Sequence, residues 1–379
     1  MNKLVKQDTR SERRITVAVP AGSPSTYDVV VGSGLLAGIG DRLARLSAGA
    51  AWGVISDAHV QGLVGESVVA ALEAAGCRAV LLVFPAGEQF KTRGTVSDLQ
   101  NGAIEAGLGR DAWILTVGGG VVGDVGGFVA ATLFRGLPMA QVPTSLLAMV
   151  DSSVGGKTGV DTPAGKNLVG AFHQPRWVLA DVDTLATLPD AELRAGLAEV
   201  IKYGVILDQQ LFIDLEDGLL ESCATRVPEA LISVIERCVA IKARVVADDE
   251  RETNWRQVLN FGHTIGHAVE MLSKYSMRHG EAVAIGMICE AHLAQRLVGA
   301  PPDTPVRIRD LCSRAGLPTE IPASLTPDAM LEAARRDKKT RANQIRCALP
   351  RQIGAMAHHD GQWAVEVPDS ELIAAIEAN

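Results

Sequence analysis

The stretch WILTVGGGVVGDVGGFVAATLFRGLPMAQVPTSLLAMVDSSVGGKTGVDTPAGKNLVG, residues 113–170, decides how this chain folds. It opens with an apolar run, Trp113 to Val117, that predicts a buried strand. The run breaks into a G-x-G-x-x-G pattern where a helix would start: Gly118, Gly119, Gly120, Val121, Val122 and Gly123. Glycine permits a tight turn, and the N–H groups of the first helical turn attract a phosphate. Small residues at such turns also serve close packing, so the pattern alone leaves both interpretations open.

A second polar segment follows the next predicted strand, Met139 to Val142. Asp151 opens a glycine-rich loop that we expect to hold two ammonium groups and an amide beside bare backbone: Lys157, Lys166 and Asn167. This combination suits a second anion.

A carboxylate for a nucleotide ribose is missing where such a motif usually has one, about twenty residues further on. An acid ends an earlier predicted strand at Asp57, and Glu88 follows another. We therefore expect Asp57 or Glu88 to reach the ribose from a neighbouring strand.

Composition bounds the class of protein. The 379 residues, 47% hydrophobic and 21% charged, predict a soluble globular enzyme of two domains. A net charge of -8 and a pI near 5.6 argue against a nucleic-acid partner. The polar, basic residues 1–14 predict a loose tail and no signal peptide, and we expect no membrane span. Six scattered cysteines without a C-x-x-C pair favour reduced thiols in the cytoplasm.

The order of predicted elements indicates an α/β fold. Alternation at Ile15, Val17 and Val19 predicts an edge pair of strands, and strands alternate with helices from Trp52 onward. Past Pro189 the apolar spacing becomes helical, at 191–205, 228–248, 258–273, 281–297 and 327–336. We predict a Rossmann-like, mostly parallel sheet domain at 15–189, an all-α domain at 190–379, and an active site in the cleft between them.

Histidines and a carboxylate of the helical half match a metal site. His263 and His267, four residues apart, share one helix face, His279 follows nearby, and Glu199 lies on another helix three residues before Lys202. This is the ligand set of a catalytic zinc site with an open position, although core histidines and a solvated ion pair are the alternatives. Three protein ligands suffice, so one histidine would serve acid–base or anion contact. Further basic residues are by themselves more typical of a solvated surface: Lys242, Arg256, Lys338 and Lys339.

Six segments in order, GGGVVGDVGGFVAA, QVPTSLLAMVDSSVGGKTGVD, GKNLVGAFHQP, LAEVIKYGVILD, LNFGHTIGHAVE and RHGEAVAIGM, resemble 3-dehydroquinate synthases of the sugar-phosphate cyclase superfamily. The resemblance implies conversion of 3-deoxy-arabino-heptulosonate 7-phosphate to 3-dehydroquinate and phosphate, a step of the shikimate pathway to aromatic amino acids. It also implies NAD, oxidised transiently without net consumption, and one divalent metal, zinc or cobalt.

The resemblance assigns residues to each ligand. Zinc would be held by Glu199, His263 and His279, leaving His267 for chemistry. NAD would be held by Asp57, Glu88, Lys91, Gly118 to Asp124 (Gly118, Gly119, Gly120, Val121, Val122, Gly123, Asp124), Thr144, Ser145, Lys157, Lys166, Thr184, Leu185, Ala186 and Thr187. The substrate would be held by Lys157, Lys166, Asn167, Lys202, Lys242, Arg256, Asn260, His267, Lys338 and Lys339. Catalytic roles would fall to His267, Lys202, Lys157, Asp151 and Asn260. Arg135 would reach the phosphate site of the adjacent subunit, which implies a homodimer.

Three other functions compete with this interpretation. A sister cyclase would make an amino-dehydroquinate, a valiolone or a deoxy-inosose; Arg256, Asn260 and the lysines at 338–339 disfavour those sisters whose substrate lacks a carboxylate. A metal- and NAD-dependent polyol dehydrogenase would not need the DSSVGGKTGVD segment. A non-catalytic nucleotide-binding module would be expected to have broken metal ligands, and the sequence retains them.

Overall fold

The computed structural model describes residues 12–18, 26–274, 276–336 and 344–379. They form two compact units. The first runs up to Thr187 and includes Leu231–Val239; the second comprises Leu188–Ala230 and Ala240–Asn379. The division after Thr187 lies beside the boundary predicted near 189, whereas Leu231–Val239 of a predicted C-terminal helix belongs to the first unit. Residues 1–11 of the predicted tail lie outside the described residues, and Arg13 and Arg14 already belong to the first strand.

The first unit is built on a seven-stranded sheet. Its strands are β1 (Arg13–Ala18), β2 (Thr26–Gly32), β3 (Trp52–Asp57), β4 (Ala79–Phe84), β5 (Trp113–Gly118), β6 (Met139–Pro143) and, after a separate hairpin of β7 (Lys157–Thr162) and β8 (Gly165–Phe172), β9 (Trp177–Asp181). The order is β1-β2-β9-β6-β5-β3-β4. Only β1 runs antiparallel to its neighbour, which confirms the predicted edge pair and parallel sheet. The carboxyl ends of β3, β5 and β6 are therefore adjacent.

Helices α1 (Ile39–Ser47), α2 (Glu66–Ala74), α3 (Arg93–Glu105) and α4 (Gly120–Thr132) connect these strands. Glycines allow α4 to approach the strands closely. A Cβ on Gly126 would lie 2.5 Å from Thr116 Cγ2 of β5, and one on Gly127 would lie 2.5 Å from Thr158 Cγ2 of β7. Both distances are too short for any side chain, so part of the glycine-rich sequence serves packing.

The segment predicted as one anion loop is largely a β-hairpin. Alternate side chains of β7, Thr158 and Val160, are buried, and the Thr158 hydroxyl donates a hydrogen bond to Ala171 O at 2.8 Å. A strand is expected where every second side chain is buried, but the glycines around Thr158 and Val160 made this alternation hard to see in the sequence. Lys157 pairs with Phe172 and Thr162 with Gly165, so Lys157 and Lys166 lie towards opposite ends of the hairpin.

The second unit is mainly helical. It contains α5 (Asp190–Leu207), α6 (Gln209–Asp214), α7 (Leu220–Ala224), most of α8 (Pro228–Asp248), α9 (His263–Leu272), α10 (His279–Val298), α11 (Thr304–Arg314), α12 (Pro327–Arg336) and α13 (Asp369–Glu377). The helix predicted from 258 begins at His263 instead, because Gly262 adopts a left-handed conformation with φ 79° that separates it from the turn Trp255–Asn260. Residues of α9, α10, α12 and α13 share one apolar core.

Two small sheets lie within the part of the chain predicted as all-α, past the last helix expected there, at 327–336. β10 (Arg346–Cys347) pairs with β13 (Val365–Glu366), and β11 (Pro350–Gln352) pairs with β12 (Ala355–Met356), both antiparallel. Among the described residues, no helix is long and apolar enough to cross a bilayer.

Candidate active site

The glycine turn after β5 packs beside the segment after β6. Thr144 N donates to Gly118 O at 2.9 Å, and Ala148 N donates to Ser145 Oγ at 3.3 Å. Gly119 occupies the position just before α4 and has no side chain with which to cap that helix. The start of α4 therefore has no side-chain cap on its first N–H groups, an arrangement that favours an anion.

Charged side chains around the same strand ends are paired with one another. Lys91 is buried, and its Nζ lies 2.6 Å from Asp124 Oδ2 of α4. Burial alone would lower the pKa of Lys91, but the carboxylates of Asp124 and Glu88 outweigh it and raise that pKa. Glu88 Oε1 also lies 3.4 Å from Lys166 Nζ, so the hairpin and the turn after β4 are joined by charge.

Asp57, one of the two candidate ribose ligands, lies at the end of β3 and fixes the turn that follows it. Its Oδ1 accepts hydrogen bonds from His59 N at 2.8 Å and Val60 N at 2.9 Å. Because β3 is the direct neighbour of β5, this carboxylate lies at the strand beside the glycine turn, as the sequence predicts.

The predicted cofactor residues Thr184 to Thr187 form a tight turn, Val182–Thr187, directly after β9. The hydroxyl of Thr184 donates to Asp181 O at 2.8 Å, and that of Thr187 donates to Thr184 O at 3.1 Å. Each hydroxyl fixes the turn with its proton and retains acceptor capacity.

Three predicted metal ligands come from three different helices of the second unit and converge. Glu199 of α5 is fully buried, and its Oε1 lies 3.6 Å from His263 Nε2 of α9 and 3.5 Å from His279 Nε2 of α10. A tetrahedral zinc with ligands at about 2.1 Å would space neighbouring ligand atoms about 3.4 Å apart. The three ligand atoms all lie within 4.8 Å of one another, so this donor set fits a divalent metal.

Hydrogen bonds on the far side of each imidazole orient it towards this point. His279 Nδ1 lies 3.3 Å from Glu270 Oε2, and His263 Nδ1 lies 3.1 Å from Phe261 O. Partners of this kind leave Nε2 as the ligand atom, as in carboxylate–histidine–zinc groups. Although desolvation alone would lower it, Glu199 and Glu270 raise the pKa of His279 to about 9, a measure of how much negative charge faces this ring.

His267 stands beside the trio. Its ring centroid lies 5.4 Å from that of His263 and 6.1 Å from that of His279. It belongs to a second possible group with Glu270 and His279. In the group with Glu199 and His263, His279 would bind the metal through Nε2. In the group with His267, the Glu270 carboxylate would have to bind the metal, although it already faces Nδ1 of His279. The geometry therefore favours Glu199, His263 and His279 as the metal ligands.

Three of the basic residues predicted in the second unit are buried, in contrast to the solvated positions that their types favour. Lys202 forms an ion pair with Glu199 Oε2 and is 1% exposed; Lys242 is 5% exposed and Arg256 is 2% exposed. Asn260 Nδ2 donates to Glu252 Oε1 at 2.6 Å. Lys338 and Lys339 lie outside the described residues.

The remaining predicted residues belong to the first unit. Asp151 lies in the turn Ala148–Ser152, and Asn167 has a left-handed backbone whose N–H donates to Asp161 Oδ1 at 2.8 Å. About 13 Å of strand separates the backbones of Lys157 and Asn167, because the segment is a hairpin and not the loop expected from the sequence. Arg135 is exposed in a strained turn with φ 72°, next to Phe134 at φ 52°.

The sequence interpretation missed two carboxylates that support the site. Glu270 follows His267 by three residues and His263 by seven, a helical spacing that places it on the same face and could have indicated it. Glu290 of α10 is fully buried and accepts backbone hydrogen bonds at the start of α9. Its position in an otherwise apolar helical stretch was the available signal.

Known proteins share this architecture. One is 2-deoxy-scyllo-inosose synthase complexed with carbaglucose-6-phosphate, NAD+ and Co2+, with a TM-score of 0.86 and 27% identity over 97% of this chain and 99% of that one. Another is the 2-epi-5-epi-valiolone synthase ValA from Streptomyces hygroscopicus subsp. jinggangensis 5008 with NAD+ and Zn2+ bound, with a TM-score of 0.84 and 32% identity over 95% and 98% of the two chains. Fold and site thus define the class of sugar-phosphate cyclases.

Within that class the sequence is more specific. Family models described as 3-dehydroquinate synthase N-terminal and C-terminal match residues 81–195 and 196–340. A 3-dehydroquinate synthase from Geobacter metallireducens is 47% identical over 90% of this chain and 94% of its own length. The chain belongs to the 3-dehydroquinate synthase family.

Proposed function

We propose that this chain converts 3-deoxy-arabino-heptulosonate 7-phosphate to 3-dehydroquinate and inorganic phosphate, with NAD and one divalent metal, zinc or cobalt. The observation that carries the proposal is the convergence of Glu199, His263 and His279 from three helices. The 47% identity to a relative of this name over most of both chains supports the same reaction.

The metal would be held by that trio, with Glu270 and Phe261 O orienting the two imidazoles. A divalent cation held there would supply Lewis-acid polarisation of the substrate hydroxyls. Lys202, paired with the other oxygen of Glu199, keeps that carboxylate turned with Oε1 towards the imidazoles. His267 stands close enough to the trio to move a proton on the substrate.

NAD would be held at the carboxyl ends of β3, β5, β6 and β9. The first turn of α4 would face its pyrophosphate, and Asp57 its ribose. NAD held there would supply a hydride acceptor that is regenerated within the reaction, so the overall conversion would have no net redox change. The Lys91–Asp124 pair fixes the turn after β4 against α4 and thereby shapes this site.

The substrate is a dianionic phosphate with a carboxylate. Arg256 and Lys242 suit the carboxylate, because a guanidinium binds it in two-point fashion and both side chains are shielded from water. Lys157, Asn167, His267 and the lysines at 338–339 would bind the phosphate and stabilise its departure as an anion. Asp151, Lys166, Lys202 and Asn260 complete the proposed substrate contacts.

We further propose a homodimer in a reducing cytoplasm. Arg135 is exposed on a turn with two successive left-handed residues, and such strain supports a role at a contact. All six cysteines are buried thiols, as expected where disulfides do not persist.

The test is to mix purified protein with NAD, Zn2+ and the heptulosonate phosphate and to follow phosphate, dehydroquinate and NADH absorbance together. We expect equal amounts of phosphate and dehydroquinate, no accumulating NADH, and loss of both products after removal of metal with a chelator.

Two outcomes would contradict the proposal. Steady growth of NADH with a polyol would favour a dehydrogenase. Phosphate release only from a sugar phosphate without a carboxylate, such as glucose 6-phosphate, would favour a sister cyclase of the kind found among the solved structures.

A further inference from the structure

A buried carboxylate outside the proposed ligand set lies between the two helices that supply the histidines. Glu290 of α10 is 0% exposed. Its Oε2 accepts a hydrogen bond from Gly262 N at 2.7 Å, and its Oε1 accepts one from Ile265 N at 3.2 Å. One side chain thus bonds two backbone donors at the start of α9.

The start of α9 needs such a partner. A helix leaves its first N–H groups without intrahelical acceptors, and a side chain of the preceding residue usually caps them. Here that residue is Gly262, which has no side chain to offer. Glu290 replaces the missing cap from another helix, and its negative charge matches the positive end of the α9 dipole.

The two helices meet backbone to backbone at this point. A Cβ on Gly286, one turn before Glu290 on α10, would lie 1.9 Å from Gly262 O, so only glycine fits. His263 is the first residue of α9 and His279 the first of α10. The Glu290 hydrogen bonds flank His263 in the chain, at Gly262 and Ile265, and therefore fix where its imidazole projects.

We propose that Glu290 is a positioning residue for the metal site: it holds the first turn of α9 against α10 so that His263 and His279 meet Glu199. The inference rests on the proposed metal site. Glu290 does not itself face the metal, and it acts through the backbone of Gly262 and Ile265.

The test compares Glu290→Gln with Cys289→Ala, a matched control on the adjacent buried residue of the same helix. Glutamine has the same shape but keeps one acceptor and turns an NH2 group towards the other backbone donor. Removal of the Cys289 thiol loses packing in the core that includes Ile265, without touching the cap. Each metal-stripped protein is titrated with Co2+ by calorimetry, its Co2+ absorption spectrum is recorded, and NAD affinity is measured as a check on folding.

We expect Glu290→Gln to bind Co2+ about ten- to a hundredfold more weakly, the size of effect seen for outer partners of metal ligands. Its spectrum should change, while Cys289→Ala binds Co2+ like the wild-type protein and both bind NAD normally. If Glu290→Gln does not fold, Glu290→Asp, which is one methylene shorter and keeps the charge, should give a partial loss.

Wild-type Co2+ affinity in Glu290→Gln, or an equal loss in Cys289→Ala, would overturn the inference. Failure of the wild-type protein itself to bind Co2+ would remove the metal site and this inference with it. A wild-type protein that binds Co2+ but forms no dehydroquinate would refute the proposed reaction and leave the role of Glu290 standing.

Discussion

The glycine turn after β5 and the histidine pair of α9 and α10 prepare ligand sites by opposite means. In the first, side chains are absent: Gly119 leaves the start of α4 uncovered. In the second, the ligands are side chains whose orientation depends on other buried groups. Glu270 contacts Nδ1 of His279, and Glu290 accepts a hydrogen bond from Gly262 N at the start of α9. Ligand binding at the glycine turn should therefore be weakened by adding a side-chain atom, whereas binding at the histidine site should be weakened by removing one.

The largest effect is expected from the two histidines four residues apart on α9. His263→Ala removes an imidazole whose Nε2 faces Glu199, so we expect loss of both bound metal and turnover. His267→Ala should retain the metal and lose about 10²–10⁴ in turnover, as for a general acid–base residue. Metal content by atomic emission and steady-state phosphate release measure the two quantities.

The pair of variants serves as its own control, because both shorten a histidine of the same helix. Equal loss of metal from the two proteins would contradict the division of roles and favour the second group, His267 with Glu270 and His279.

For the glycine site, the sequence predicts the strand and helix but not the hairpin beside them. For the metal site, it predicts the ligands but not the buried carboxylates that hold them in place. A strand, a glycine run and a helix are local, so β5 and α4 follow from one window of residues. The hairpin β7–β8 was missed because its glycines conceal the alternation of buried residues. Glu290 was missed because its partners are backbone groups of another helix, and no side-chain motif records them.

Two glycines of the first region separate packing from ligand binding. A Cβ on Gly126 would meet Thr116 Cγ2 at 2.5 Å in a buried strand, so Gly126→Ala should lower the free energy of unfolding by about 1–3 kcal/mol. Gly119 has φ −76°, and the nearest atom to its added Cβ is Ser145 Oγ at 3.4 Å, so Gly119→Ala should fold normally. It should instead weaken NAD binding by about 1.4 kcal/mol, or tenfold.

Urea unfolding and calorimetric titration with NAD distinguish the two variants. A Gly119→Ala protein with normal NAD affinity would mean that the glycine turn serves packing alone, the alternative that the motif by itself leaves open.

The smallest effect concerns Asp249, a second carboxylate of the helical unit that binds backbone donors. Burial would raise the pKa of Asp249, but the N–H groups of Asn254, Thr253 and Arg256 outweigh it and lower that pKa. A lowered pKa in the folded state means that the stabilisation is present above the unfolded value of about 3.9 and is lost as pH falls through the folded value. Asp249→Asn should therefore lower the free energy of unfolding by about 1–2 kcal/mol at neutral pH, and the difference from the wild-type protein should shrink in acid.

The measurement is urea unfolding of the wild-type and Asp249→Asn proteins from neutral to acid pH. Asp248→Asn is the matched control: Asp248 is the adjacent carboxylate and is exposed, so its loss should change the free energy of unfolding by less than about 0.5 kcal/mol. A difference that stays constant down to acid pH would mean that shape and not charge holds the loop of Arg256. Stabilisation by a charged carboxylate that accepts backbone hydrogen bonds, as proposed for Glu290, would then not apply to Asp249. The contrast between side-chain support and a bare glycine turn would hold for the metal site alone.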